Sequence, residues 1–346
     1  MPLLAWYPTV ARVLPWREEP TPYRVWISEI MLQQTRVAAV VPYFERFLAA
    51  LPDIAALASC PDDELMKLWQ GLGYYSRARN LKKAAQVIMK DYDGTMPLAF
   101  ETLLTLPGIG RYTAGAISSI AGHHPAPAVD GNVLRVVTRL TLYEDDVLKD
   151  ATKRAVEDAL RPIYEEGPAS ATLNQALMEL GATVCMPNGA PHCNDCPLSA
   201  LCLARKEARI ADFPKKAAKK ARRIEQMTVL RIIDGATGRI ALRQRPKKGL
   251  LAGLYELPHL PGHRTATDVR HALAATGYDV QHVHRLSPAR HIFSHVEWDM
   301  VAYDVTLAPV ASVMEHRDAW LWATPAELTS TYSIPAAFQY FLLPHV

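Results

Sequence analysis

The sequence predicts a multidomain fold, with an all-α domain over residues 1–213, a basic linker over 214–226 and a smaller α+β domain over 227–346. Three observations carry this division. Up to Thr183, apolar residues recur at helical spacing between Pro, Gly and Asp breakers. The Lys/Ala stretch from Lys215 to Arg223 has too little apolar content to join a core. From Met227 onward, short strand-like runs rich in β-branched residues replace the helical spacing.

Helical spacing covers Tyr23–Leu48, Asp62–Trp69, Arg77–Lys90, Ala99–Leu104, Tyr112–Ala121, Gly131–Leu140, Thr152–Leu160 and Ala171–Thr183. Strands are expected over 228–233, 238–243 and 298–305, with a helix over Ala266–Thr276. A hydrophobic content of 49% supports globular folding, and no apolar run is long enough to span a bilayer. Met1–Trp16 lacks the basic stretch and apolar run of an export signal, so a cytoplasmic, reducing compartment is expected. The net charge of +3 is too small to argue for nucleic acid by itself. Its distribution is more useful: nine Lys and Arg lie between Arg205 and Arg223, against Glu207 and Asp212. Most such runs are solvated linkers, but this one can also lie along phosphates.

Four of the five cysteines, Cys185, Cys193, Cys196 and Cys202, fall in one short segment with C-x7-C-x2-C-x5-C spacing. Thiolates this dense can converge on one metal centre, since Cys-x-x-Cys places two sulfurs on one turn. A disulfide pair is disfavoured in a chain this long without a secretory signal. The spacing leaves zinc and iron–sulfur about even, and His192 beside Cys193 is a possible alternative ligand.

Two further segments carry chemistry. Leu106-Pro107-Gly108-Ile109-Gly110-Arg111-Tyr112 forms a turn between helical patterns, where Gly108 and Gly110 permit close backbone approach and the helix start can grip a phosphate. An ordinary helix–turn–helix corner has the same composition. Val129-Asp130-Gly131-Asn132 follows; Asp130 suits an N-cap, but a carboxylate held at a helix start can also stabilise positive charge on a sugar.

Hairpin turn, Val-Asp-Gly-Asn and four cysteines, in that order, resemble the helix–hairpin–helix DNA glycosylases with a 4Fe-4S cluster, over nearly all of residues 20–205. Within that superfamily, Pro15-Trp16-Arg17, the segment from Trp26 through Glu29 and Gln34 to Val37, Gly71–Arg77, and Asn174-Gln175 through Glu179 resemble adenine DNA glycosylases of the MutY type. The bifunctional relatives of endonuclease III carry a Schiff-base lysine after the hairpin Gly-Arg; here that position is Tyr112. The resemblance implies a monofunctional enzyme that removes adenine mispaired with 8-oxoguanine or guanine from duplex DNA.

Carried over position by position, the resemblance implies that Glu29 is the general acid, a role that partial burial favours by keeping its proton available. Asp130 then stabilises an oxocarbenium-like sugar, supported by Tyr112 and Asn132. Arg17 and Gln175 line the adenine pocket, and Gln34 and Tyr74 wedge into the base stack with Leu32 and Leu72 beside them. Without the resemblance, Glu29 suits a helix surface and Leu32 and Leu72 suit a core.

Gly249–Pro258 resembles the Nudix-like module attached to these glycosylases. The region after Pro258 lacks the glutamate run that magnesium-dependent pyrophosphate hydrolysis requires. Phe293-Ser294-His295 instead resembles the family loop that recognises 8-oxoguanine. The family spaces its cysteines as C-x6-C-x2-C-x5-C, so this chain carries one extra residue between Cys185 and Cys193. The implied protein is a cytoplasmic, nucleoid-associated monomer with a 4Fe-4S cluster. A pyrimidine or thymine-mismatch glycosylase, a non-catalytic lesion binder and a nucleotide-pool Nudix hydrolase are the competing readings.

Overall fold

The structure, a computed structural model, describes residues 1–165, 169–218, 221–309 and 320–342. Lys219 and Lys220 of the expected linker lie outside these. The chain divides into two compact units, Met1–Cys60 with Arg79–Ala218, and Pro61–Ala78 with Lys219–Val346.

The helices of the first unit are α1 (Pro2–Val10), α2 (Pro15–Glu18), α3 (Pro22–Leu32), α4 (Val37–Ala50) and α5 (Ile54–Ser59). After α6 (Asp62–Trp69) and α7 (Ser76–Asp91), which begins at the end of the intervening Pro61–Ala78 segment, come α8 (Phe100–Leu103), α9 (Arg111–Ala116), α10 (Gly131–Thr141), α11 (Asp150–Glu165), α12 (Ser170–Thr183) and α13 (Leu203–Lys206). Each start has a local cause. Thr21 accepts from the Arg24 N–H ahead of Pro22 in α3, Asp53 caps α5, and Asp130 caps α10 with bonds from the Asn132 and Val133 N–H groups. Helices α1, α10, α11 and α12 share one apolar core that includes Leu3, Val133, Val156, Tyr164 and Leu180.

The single helix expected over Tyr23–Leu48 is two helices, broken at residues 33–36. Gln34 there adopts a left-handed backbone, with φ 59°. Apolar spacing continues through the break and so conceals it. The Tyr112–Ala121 helix also changes character, widening to a π-helical turn over Ile117–Ala121.

The second unit contains a sheet of β1 (Arg223–Asp234), β2 (Ile240–Gln244), β3 (Tyr255–Glu256), β4 (His259–Pro261), β5 (Val280–Ile292), β6 (Val296–Leu307) and β7 (Leu321–Ala323). Its main order is β3-β2-β1-β6-β5, with β4 paired to β1 and β7 to β2. Strands β1 and β6 run parallel, from Arg223 opposite Val296 to Asp234 opposite Leu307, and β5 is antiparallel to β6. Helices α14 (Ala266–Ala275), α15 (Pro325–Ser330) and α16 (Ala336–Gln339) complete it, the first two opened by capping boxes at Thr265 and Thr324.

Two boundaries differ from the sequence expectation. Strand β1 begins at Arg223, so the last residues of the 214–226 stretch are sheet and not linker. Residues 61–78 lie within the helical stretch yet belong to the second unit. There the Lys67 ammonium donates to the Tyr332 carbonyl at 3.2 Å, and the Gln70 amide donates to the Ile334 carbonyl at 3.1 Å.

Candidate active site and cysteine loop

An open cleft of about 690 Å³ in the first unit collects eight of the sequence-predicted residues: Arg17, Glu29, Leu32, Gln34, Tyr112, Asp130, Asn132 and Gln175. They come from α2, α3, the turn after α3, α9, the start of α10 and α12, so only folding brings them together. Glu29 is 6% exposed, so it is buried and does not take the helix-surface position that it suits without the resemblance. Burial pushes its carboxyl up from 4.5 to about 7, with the Tyr112 hydrogen bond opposing and the Asp130 charge adding. The Tyr112 hydroxyl donates to Glu29 Oε2, and burial and the Glu29 charge raise the phenol well above its ordinary value. Up to about neutral pH, Glu29 therefore keeps its proton in a cleft lined by both charged and apolar side chains.

Asp130 is fixed by more than a cap. Its Oδ1 accepts from the N–H groups of Asn132 at 2.9 Å and Val133 at 2.8 Å, and its Oδ2 accepts from the Asn132 side-chain amide at 2.7 Å. Burial raises its carboxyl, opposed by these donors. The Asn132 side-chain oxygen Oδ1 in turn accepts from Arg135 at 2.8 Å, and Arg135 also donates to the backbone carbonyls of Gly181 at 2.7 Å and Cys185 at 2.6 Å. Gly181 allows this approach: a Cβ there would sit 2.5 Å from Asn132 Cβ.

Four residues to which the sequence assigned no role hold the site in place. Asn174 is fully buried and completely bonded. Its oxygen accepts from the Ala128 N–H at 2.8 Å and the Tyr164 hydroxyl at 2.6 Å, and its amide donates to Ser119 Oγ at 2.6 Å and the Ala126 carbonyl at 2.9 Å. It thereby pins the segment leading into Asp130. Arg12 and Glu179 line the cleft, and Arg135 supports Asn132. Asn174 and Glu179 lie in the Asn174–Glu179 segment, where polar residues on the buried face of a helix are the available signal.

The other expected residues lie elsewhere. Gly108 has φ 77°, and a Cβ there would meet Asn80 Cβ at 2.6 Å; Gly110 is the N-cap of α9. Leu72 and Tyr74 belong to the second unit. Leu72 is 7% exposed, so its side chain is buried, as a core leucine is. Tyr74 is 46% exposed and holds a left-handed backbone, as Gln34 does. The Tyr74 hydroxyl lies 2.7 Å from Ser294 Oγ. Ser294 and His295 are exposed in the turn joining β5 to β6, and Phe293 packs edge-on against Trp298.

Cys185, Cys193, Cys196 and Cys202 ring one small cavity with Arg139, whose guanidinium donates to Cys185 Sγ at 3.3 Å. His192 is not among the lining residues. Burial and the neighbouring sulfurs raise the Cys193 and Cys196 thiols. Among the described residues, no group of three or more His, Cys, Asp or Glu is close enough together to hold a single metal ion. Also among them, no helix is long and apolar enough to cross a membrane. In the second unit, Glu256 is 1% exposed and paired with Arg243 and Arg245.

Comparison with known proteins gives the family. Residues 27–162 match the HhH-GPD superfamily of base excision DNA repair proteins, and residues 228–343 match the NUDIX domain. The adenine DNA glycosylase of Rattus norvegicus is 34% identical, over 88% of this chain and 70% of its own. That of Homo sapiens is 34% identical, over 94% and 70%. That of Buchnera aphidicola subsp. Acyrthosiphon pisum is 41% identical, over 63% and 62%. Among solved structures, a thermostable thymine-DNA glycosylase superposes with a TM-score of 0.51 at 29% identity, over 60% of this chain and 94% of that one. A non-covalent endonuclease III–DNA complex gives 0.51 at 26% identity, over the same shares. With two mammalian relatives aligned along most of its length, the chain belongs to the adenine DNA glycosylases of the HhH-GPD superfamily.

Proposed function

We propose that this chain hydrolyses the N-glycosidic bond of adenine mispaired with 8-oxoguanine or guanine in duplex DNA, without cutting the strand. The observation that carries the reading is a buried carboxyl, Glu29, which holds its proton near neutral pH beside Tyr112 and Asp130 in one cleft. Adenine flipped out of the duplex enters this cleft between Arg17, Leu32 and Gln175. Glu29 donates its proton to the base as the C–N bond breaks, and the bond electrons leave with the adenine. The sugar becomes oxocarbenium-like, and Asp130, held by its three donors, faces that positive charge. Glu29, now a carboxylate, takes a proton from the water that adds to the sugar, with Tyr112 and Asn132 holding the water and the charge. Tyr112 stands where bifunctional relatives carry lysine, so no imine forms by that route.

Gly108 and Gly110 contact the backbone phosphate, and Lys153 and Lys216, which line the cleft, add positive charge for the same backbone. Gln34 and Tyr74 enter the base stack, their strained backbones supporting that role. Phe293, Ser294 and His295 read the lesion opposite the excised adenine. Cys185, Cys193, Cys196 and Cys202 would hold a 4Fe-4S cluster, which when bound folds the loop between α12 and α13. A tetrahedral zinc needs all four sulfurs about 2.3 Å from one point. Thiolates that ring a cavity suit a larger cluster better. Residues 1–213 and 227–346 are assigned to excision and lesion recognition respectively, with 61–78 joined to the latter unit. Nudix hydrolysis is disfavoured because Glu256 is committed to two arginines.

The test is single-turnover excision by the wild type and by Glu29→Gln. The variant is expected to bind duplex and release no adenine. An active Glu29→Gln protein would remove the proposed acid.

A further inference from the structure

The cleft contains a carboxylate to which the chemistry above gives no part. Glu179 of α12 has a side chain with no exposed surface, yet it is ionised, since Arg12 and Arg17 outweigh the burial that works to raise its carboxyl. Arg12 grips it with two donors, Nε to Oε1 at 2.5 Å and Nη2 to Oε2 at 3.0 Å, and Arg17 Nη2 reaches Oε2 at 2.8 Å. Arg17 also donates to the Arg12 carbonyl at 3.1 Å and lies over the Tyr7 ring at 5.7 Å. Two guanidiniums and one carboxylate thus form a fixed unit with one surplus positive charge, on the wall of the cleft that contains Glu29.

We infer that Glu179 is a positioning residue for base excision: it aims Arg17 into the base pocket and cancels one of two positive charges that would otherwise strip the proton from Glu29. The inference rests on the reading of Glu29 as the acid. The charged and titratable groups facing Glu29 are Tyr112 from α9, Asp130 from the start of α10 and Arg17 from α2. The same cleft is lined further out by Arg12, Lys153 and Lys216, with Glu179 as the third carboxylate. Arg17 already favours the ionised Glu29. Removing Glu179 leaves Arg12 and Arg17 unopposed and strengthens that pull, whereas removing Arg12 weakens it. A residue that merely fills space has neither effect.

The experiment is single-turnover adenine release from a duplex with adenine opposite 8-oxoguanine, followed from pH 5.5 to 9 with the 346-residue chain. In the wild type the rate falls as pH rises through about 7. Glu179→Gln is expected to move that fall about one pH unit lower, so excision at pH 8 drops roughly tenfold more than at pH 5.5. Arg12→Gln moves it upward. The Glu179→Gln/Arg12→Gln double variant restores the net charge and returns the fall toward the wild-type position. Single variants that slow excision equally at every pH would overturn the inference, as would a double variant that fails to restore the profile. If Glu179→Gln does not fold, the upward shift in Arg12→Gln decides alone. A wild type that releases no adenine defeats the underlying reading instead.

Discussion

At the residue scale, the site turns on one proton. A carboxyl raised from 4.5 to about 7 suits the proposed acid but is a stability liability. The native state binds that proton more tightly than the unfolded chain does. Stability from this group is therefore full below the unfolded value near 4.5 and is lost as pH rises through about 7. At about 1.4 kcal/mol per pH unit the penalty above pH 7 is roughly 3 kcal/mol. Glu29→Gln, which keeps the shape and removes the ionisation, is expected to be more stable than wild type at pH 8 and about equal at pH 4. Denaturant melts at the two pH values check this; a variant destabilised at pH 8 would contradict it. Tyr112 sets the second expectation at this scale. Borohydride should trap no covalent protein–DNA adduct on an adenine mispair, because a phenol cannot form an imine.

At the level of elements, Asn174 determines where Asp130 sits. Asn174→Ala strands the Ala128 N–H, the Ala126 carbonyl and two hydroxyls in a dry interior, at a cost of about 2 kcal/mol or more. It should also slow excision, because the segment before Asp130 loosens; an unchanged melting point would refute this. Local elements were legible in the sequence: α10 with its Asp130 cap, α12, and strands β1 and β6 came from spacing and caps. The break after α3 was not, since it depends on the left-handed Gln34 and apolar spacing runs across it. Strand β5 was also hidden. It is an edge strand with Pro288 inside and a register shift between Leu286 and Ala289, so its exposed side chains do not alternate. The site's supporting bonds were least legible, because their partners lie 46 residues apart for Ala128 and Asn174 and 167 for Arg12 and Glu179. The candidate catalytic positions came from motif resemblance, which carries such long-range information, and the structure brings them into one cleft. At the cysteine loop, protein made with ample iron should contain about four irons, and Cys193→Ser should lose them; stoichiometric zinc would contradict the cluster assignment.

For the whole molecule, the proposed function divides the work between the two units. The candidate cleft lies wholly in the first, and the Phe293–His295 loop and Tyr74 lie in the second. Ser294→Ala with His295→Ala should reduce the preference for adenine opposite 8-oxoguanine over adenine opposite guanine by about tenfold. Single-turnover cleavage at saturating enzyme should fall far less than in Glu29→Gln. Because residues 61–78 bond within the second unit, a fragment ending at Ala218 should lose amide protection over α6. Adenine excision without strand cleavage is tested most directly by a glycosylase assay on duplexes that differ only at the mispair, analysed before and after alkali. Adenine should be released opposite 8-oxoguanine and guanine, with strand breaks only after alkali and no release of thymine opposite guanine. Strand cleavage without alkali, or thymine release with adenine left in place, would contradict it.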